Sequence, residues 1–354
     1  MAQPVRFPSG VSTHQPKNTL ASFPTVPSTN QVSLINEFVP YRSGDFTITQ
    51  TNGSGAILAW NNGGLALSTT GGTAADKIMF GLSGQAAVYM PGNQLWTSTT
   101  IAVPSTISDT NVYLGEANNV DLSSGSVTDG IYFLKPSGGT TVNLIIKKAG
   151  TTTTFTNIAD LAKPSGIYGD TSSTAGTLTF NTSGTTLTSI AVNASGSGYQ
   201  QAPYLQVTGT GGTGAQAYCQ LRSGGLYAPY VTAAGSGYTA GTFAATILPW
   251  ITLSKYYDGK GNLYIGVNGK TVMSIGPRGT TSITAGGTAA NASFKSFVVT
   301  NQLTTGQAPI QPKAGAVDNI MPLVPLYAGG GFVNTTANAR TAYVDSFQLG
   351  FEYN

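Results

Sequence analysis

From Leu34 onward the chain breaks into short runs of β-branched and aromatic residues, separated by clusters of Gly, Asn, Ser and Pro. Alternation between apolar and polar positions within such runs predicts strands with one buried face. Phe46-Thr47-Ile48-Thr49, Ala87-Val88-Tyr89-Met90, Asn111-Val112-Tyr113-Leu114 and Gly130-Ile131-Tyr132-Phe133-Leu134 all read this way. Val142 to Lys148, then Ala149-Gly150, then Thr152-Thr153-Thr154-Phe155 predicts a hairpin. Trp250 to Tyr257 alternates, Asp258-Gly259-Lys260-Gly261-Asn262 turns the chain, and Leu263 to Val267 returns it. Asn268-Gly269 is a two-residue turn signal, and Lys270 to Ile275 starts a third strand of the meander. Near the end, Val344, Phe347, Leu349 and Phe351 cannot share a face under strict period two, so a bulge near Ser346 is expected.

Residues 177–248 stand apart because they contain a repeat. Val192-Asn193-Ala194-Ser195-Gly196-Ser197-Gly198-Tyr199 recurs 39 residues later as Val231-Thr232-Ala233-Ala234-Gly235-Ser236-Gly237-Tyr238. Each copy is followed by an alternating run, Tyr204 to Val207 and Phe243 to Ile247, and Gly209 to Ala215 between them reads as a glycine-rich turn rather than strand. Two copies fall short of the three or so that a solenoid or propeller needs, so the segment reads as a small inserted β module. Its glycines supply positive φ beside each strand, and Tyr199 and Tyr238 fold back over the turns as core plugs. The alternative makes Tyr199 and Tyr238 a sugar-stacking pair.

Before this strand-rich region, residues 1–35 carry Pro4, Pro8, Pro16, Pro24 and Pro27, which resist helix and central strand alike. They read as an extended arm. Its apolar residues, Val5, Phe7, Pro8, Leu20, Phe23 and Val26, are candidates for contact with a neighbouring subunit.

Composition sharpens the picture. Asp, Glu, Lys and Arg make up 8% of the 354 residues, against about 25% in an average protein, so the surfaces that helices ordinarily present are missing. Gly occupies 46 positions, in keeping with many tight turns. The net charge is +3 and basic residues cluster only at Lys147-Lys148, which argues against nucleic acid as a partner. No apolar run approaches a membrane span, and Met1 to Phe7 lacks the apolar segment of a secretory signal, so synthesis in a cytoplasm is expected. The single Cys219 has no internal disulfide partner and excludes a cysteine zinc cluster.

Catalytic chemistry finds little to work with. The one histidine, His14, lies in the proline-rich arm, away from any triad. The glutamates are Glu37, Glu116 and Glu352, and no Glu-x-Asp-x-Glu spacing occurs. Asp258 is the best placed acid, but Asp-Gly is ordinary turn chemistry. Gly209 to Gly214 lacks the Lys-Ser or Lys-Thr of a phosphate loop. Trp60, Trp96 and Trp250 are expected in the core. Neither an enzyme nor a cofactor is expected.

The meander from Trp250 to Ile275, with its Tyr-Tyr-Asp-Gly-Lys-Gly-Asn turn and Leu-Tyr-Ile-Gly-Val-Asn-Gly strand, resembles that of concanavalin-A-like and laminin-G-like jelly rolls. The resemblance implies an all-β fold: an antiparallel jelly-roll β-sandwich over 36–176 and 249–354, with the 177–248 module inserted and the 1–35 arm extended. Lectins of that family hold calcium and sugar through clustered Asp and Asn. Asn118, Asn119, Asp121 and Asp129 form the comparable group here, in a pattern that any turn uses.

The Gly-Ser-Gly-Tyr repeat resembles a module of phage virion proteins, and the whole layout resembles capsid decoration or head-fibre proteins. This implies a structural role on the capsid exterior, with the phage major capsid protein as partner, a homotrimer as the assembly and neither membrane nor nucleic acid involved. The alternative is a receptor- or glycan-binding module, with a host-surface glycan as ligand.

Overall fold

A computed structural model of the protein describes residues 31–36, 43–51, 56–59, 64–71, 73–85, 87–90, 92–103, 108–239, 242–259, 261–276, 279–284, 296–300 and 321–352. In chain order the strands begin with β1 Gln31–Asn36, β2 Phe46–Thr51, β3 Ala56–Ala59, β4 Leu65–Thr69, β5 Lys77–Leu82, β6 Gln94–Ala102, β7 Thr110–Ala117 and β8 Gly130–Lys135. They continue with β9 Thr141–Lys148, β10 Thr151–Asp160, β11 Thr177–Ser183, β12 Thr186–Ala194, β13 Tyr204–Thr208, β14 Thr213–Arg222, β15 Gly225–Ser236 and β16 Ala244–Leu248. The rest are β17 Ile251–Tyr257, β18 Leu263–Val267, β19 Lys270–Gly276, β20 Gly279–Thr284, β21 Ser296–Thr300, β22 Tyr327–Asn334 and β23 Arg340–Glu352. No α-helix occurs among the described residues.

Two antiparallel sheets form the jelly-roll sandwich. One runs β21-β20-β19-β18-β17-β6-β23-β4-β3 with β1 also on β23, and the other runs β10-β9-β8-β7-β22-β5-β2. Alternating residues of both sheets meet in one core, among them Leu67, Leu95, Leu253 and Leu349 from the first and Phe80, Leu114, Ile131 and Phe332 from the second. Burial of this kind, at roughly 25 cal/mol per Å² of apolar surface, is the main force holding the layers together.

Local turn chemistry sets the registers. Ala149 and Gly150, at φ of 47° and 82°, join Lys148 to its partner Thr151, and Asn268 and Gly269, at 48° and 75°, join Val267 to Lys270. Both are the two-residue hairpins read from the sequence. The bulge near Ser346 is present as well: the register on β6 passes from Val344 opposite Ile101 to Ser346 opposite Thr100. The extra residue lets Val344, Phe347 and Leu349 all enter the core.

Residues 31–35, read from the sequence as the end of the arm, form most of β1 and pair with the second half of β23. Val5, Phe7, Pro8, Leu20, Phe23 and Val26, like His14 and Trp60, lie outside the described residues.

The inserted module has a core of its own. The ribbon β11-β12 and the four-stranded sheet β15-β14-β13-β16 enclose Leu187, Ile190, Tyr199, Leu205, Ala217, Cys219 and Leu226. In both copies of the repeat the two glycines have positive φ, 63° and 90° at Gly196 and Gly198, 67° and 77° at Gly235 and Gly237. Each tyrosine turns inward: the Tyr199 hydroxyl accepts the Gly176 N–H at 3.0 Å, and the Tyr238 hydroxyl accepts the Ala215 N–H at 3.2 Å. The glycine-rich run before β14 is shorter as a turn than the sequence suggested, because the strand already begins at Thr213. Its glycines form a bed for the Tyr238 ring: a Cβ at Gly212 would stand 2.2 Å from ring carbon Cγ. Replacing Tyr238 by Ala is expected to destabilise the protein by about 3–5 kcal/mol, and Tyr199→Phe by about 1 kcal/mol, as read from urea denaturation.

Asp109, just before β7, ties down the connection between β22 and β23. Its carboxylate accepts from Arg340 Nε and Nη2, each at 2.7 Å, and from Thr336 Oγ1 and Asn338 Nδ2. The Arg340 guanidinium, followed by the two neighbouring donors, holds the Asp109 carboxyl well below the usual aspartate range. A depressed carboxyl contributes stability that is present above its unfolded value, about 3.9, and is lost as pH falls below it toward the folded value. Acid titration of unfolding is therefore expected to show a loss below about pH 4 that is smaller in Asp109→Asn.

Candidate functional site

The face of the four-stranded module sheet that points away from the module core carries an aromatic cluster. On β14, Ala217 and Cys219 are buried in that core, so the intervening Tyr218 and the flanking Gln216 and Gln220 point outward. Tyr218 pairs directly with Tyr230 of β15, and the two rings stack with centroids 5.8 Å apart and planes 24° apart. Gln220 pairs with Tyr227, over whose ring the Arg222 guanidinium sits 5.5 Å from the centroid. Tyr227 and Tyr230 are 46% and 48% exposed, the largest values among the described aromatic residues.

The cluster continues toward the sandwich. Tyr204 on β13 packs edge-on against Tyr343 of β23 at 4.7 Å, and Gln206 Nε2 donates to the Tyr343 hydroxyl at 3.2 Å. Burial, and then the neighbouring phenol of Tyr230, push the Tyr218 hydroxyl above its ordinary value. Burial, and then the neighbouring Tyr343, push the Tyr204 hydroxyl above its ordinary value as well. Both phenols are therefore neutral donors at physiological pH, set among side-chain amides and one guanidinium. Such a face offers flat π surface together with fixed hydrogen-bonding groups.

Tyr199 and Tyr238, the pair considered for sugar stacking, are 4% and 3% exposed, with their hydroxyls turned to backbone N–H groups. Neither offers a ring face to a ligand, and both serve as the core plugs that the sequence also suggested. The outward direction of Tyr218 was partly visible in the sequence, since Ala217-Tyr218-Cys219 is a small-aromatic-small alternation. Tyr227 and Tyr230, three residues apart, defeat period two. The register shift between Tyr218 and Gln220, with Ala228 at φ 43°, brings both outward.

The Asn and Asp group of residues 118–129 is occupied by donors of its own loop and of two neighbouring segments. Asn118 Oδ1 accepts the Thr128 and Asp129 N–H groups, Asn119 Oδ1 accepts the Asp121 N–H, and Asp129 Oδ1 accepts the Ala149 N–H. Asp121 bonds Ser123 and pairs with Lys77 at 2.5 Å. Asp258 caps its turn by accepting from Asn262 N and Nδ2. Among the described residues no group of three or more His, Cys, Asp or Glu is placed to hold a metal ion.

A cleft of about 190 Å³ lies where the module meets the sandwich, lined by Val103, Lys135, Leu161, Ile247, Leu248 and Pro249 among others. Lys135 is 2% exposed, donates to the Thr110 carbonyl at 2.8 Å, and is pushed down to about 8 by burial.

Fold and surface together define an all-β sandwich that displays an aromatic face on an inserted module. No protein-family model matches the chain, and no curated protein matches it. Among solved structures it is similar to an endo-1,3-beta-glucanase from Streptomyces sioyaensis, at 9% identity over 93% of this chain and 99% of that one, with a TM-score of 0.41. It is also similar to lectin I-B4 from Griffonia simplicifolia, at 11% identity over 91% and 99%, TM-score 0.32. A carbohydrate esterase from the Shiga toxin-encoding bacteriophage phi24B matches at 7% identity over 87% and 90%, TM-score 0.27. Likenesses this distant leave function to the chain's own surface.

Proposed function

We propose that this chain is a non-catalytic binding protein of a phage particle, and that its inserted module holds a host-surface glycan on the face of Tyr218, Tyr227 and Tyr230. The exposed, stacked tyrosines carry the reading. A pyranose ring has an apolar C–H face that lies against an aromatic ring, and equatorial hydroxyls that take hydrogen bonds from neighbouring amides and phenols. Around the tyrosines Gln216, Gln220, Arg222 and Thr232 are polar and exposed, with Ala228 and Ala234 the small apolar exposed neighbours, whereas the core of a protein–protein interface would be more apolar. A role in contact rather than catalysis is supported by the use of the acids, since Asp109, Asp121, Asp129, Asp160, Asp170 and Asp258 all bond donors of their own loops or a basic neighbour. On a glycan array followed by titration calorimetry, Tyr230→Ala and Tyr218→Ala are expected to weaken binding by about thirtyfold, roughly 2 kcal/mol, with the fold unchanged. Undiminished binding by both variants, or no glycan bound by the native chain, would count against the reading.

A second reading is decoration of the capsid exterior, as a trimer, with the first 30 residues lying across the major capsid protein. It is favoured by β1, because hydrogen bonding of Gln31–Asn36 to β23 fixes the point from which the proline-bearing segment departs. An extended segment anchored in this way adds backbone hydrogen bonds to a neighbour at small conformational cost. Deleting residues 1–30 is then expected to abolish co-sedimentation with capsids while leaving glycan binding intact. Full retention on capsids would remove the arm from the account.

A further inference from the structure

At the centre of the sandwich a cation and an anion face each other from opposite sheets. Glu116 lies on β7 on the same face as Leu114, and Lys255 lies on β17 between the inward Leu253 and Tyr257. Lys255 Nζ donates to Glu116 Oε2 and to the Ile131 carbonyl, the latter at 2.6 Å. The Tyr89 hydroxyl donates to the same Oε2 at 2.8 Å. Glu116, Lys255 and Tyr89 are 0%, 2% and 1% exposed, and the other carboxyl oxygen, Oε1, has no hydrogen-bond partner. Burial pushes the Lys255 ammonium down from its ordinary value and the Tyr89 phenol up.

Such a pair is expensive to keep charged, because desolvation of two ions in a low-dielectric core rivals or exceeds their attraction. It is also held as reactants would be held: one amine and one carboxyl, out of water, oriented by two fixed neighbours, the Ile131 carbonyl and the Tyr89 hydroxyl. Intramolecular positioning of this kind is worth effective concentrations of about 10⁵ M and above in favourable cases.

We propose that Lys255 and Glu116 condense into an isopeptide bond that joins the two sheets covalently. One proton passes from the ammonium to the carboxylate, leaving a neutral amine and a neutral acid. The amine nitrogen attacks the Glu116 carboxyl carbon, and Oε2 gathers negative charge under the Tyr89 hydroxyl, which is placed as an oxyanion donor. The new C–N bond forms, the bond from carbon to Oε1 breaks, and Oε1 leaves with two protons as water. No electrons are exchanged and no other reactant enters. The product satisfies the polar atoms: the amide N–H keeps the Ile131 carbonyl, the amide oxygen keeps Tyr89, and the oxygen without a partner is the one that departs.

Mass spectrometry of the denatured full-length protein tests this directly. The expected mass is one water below the sequence, with trypsin failing to cut after Lys255 and fragmentation placing a branch between the peptides of Lys255 and Glu116. Lys255→Met and Glu116→Ala are expected at their full sequence masses. A native protein at full sequence mass would overturn the proposal. So would a water lost elsewhere, as by imide formation at Asp258-Gly259. Both outcomes are read on the wild-type chain, so the folding of the variants does not decide the matter.

Discussion

A buried contact between Lys255 and Glu116 constrains the sandwich more tightly than any apolar pair in it. Leucines facing each other across two sheets tolerate shifts, whereas an ammonium and a carboxylate without water must meet in one register and one depth. Several neighbours can be understood as accommodating them. Gly115, at φ 146°, leaves the space that Lys255 Nζ enters, since a Cβ there would lie 2.7 Å from the nitrogen. The Ile131 carbonyl on β8 and the Tyr89 hydroxyl turn inward to complete the polar set, and the Phe133 ring lies 5.5 Å from the ammonium. Tyr89 is itself wedged edge-on against Tyr257 at 5.7 Å. One ion pair thus coordinates β7, β8 and β17 with the segment that holds Tyr89.

The module solves its packing by another route. Its core is small, and small cores bury too little apolar surface to be stable on hydrophobic contact alone. Each repeat adds a tyrosine that closes the turn after its own strand, with the phenol oxygen satisfying a backbone N–H deep in the module. Glycine is required beside these rings for steric reasons as much as for φ, as Gly209 and Gly212 show under Tyr238. A repeated motif with a structural duty on its inner side leaves the outer side of the same strands free for contact.

Much of the sandwich was legible because it is written in local chemistry. Asn268-Gly269, Ala149-Gly150 and the crowding near Ser346 each force a backbone outcome within a few residues, whatever the rest of the fold does. The plugs were legible for the same reason. What escaped were features made by long-range pairing. Lys255 and Glu116 are 139 residues apart, and nothing in either neighbourhood marks its partner. The Tyr218–Tyr230 stack depends on a register that is shifted twice along β14 and β15. Residues 31–35 looked like arm because their alternation is short, and only the free side of β23 makes them a strand.

The position of the aromatic face relative to the sandwich bears on what it can do. Tyr204 packs on Tyr343, and Leu248 and Trp250 join Tyr343 and Ala102 in one buried cluster, so the module rests on β23 and β6. Those two strands sit side by side within the larger sheet, β23 also holding β4 and β1, and β6 also holding β17 with Lys255. A load applied at Tyr218 and Tyr230 passes through Tyr204 into strands hydrogen-bonded on both edges, and from β17 across the core to the second sheet. Strands paired on both sides resist peeling better than edge strands, whose bonds can open one at a time. For the glycan-holding role proposed above, that placement would pass any pull on the face into the sandwich, and the proposed covalent tie between β17 and β7 would sit where the load crosses from one sheet to the other.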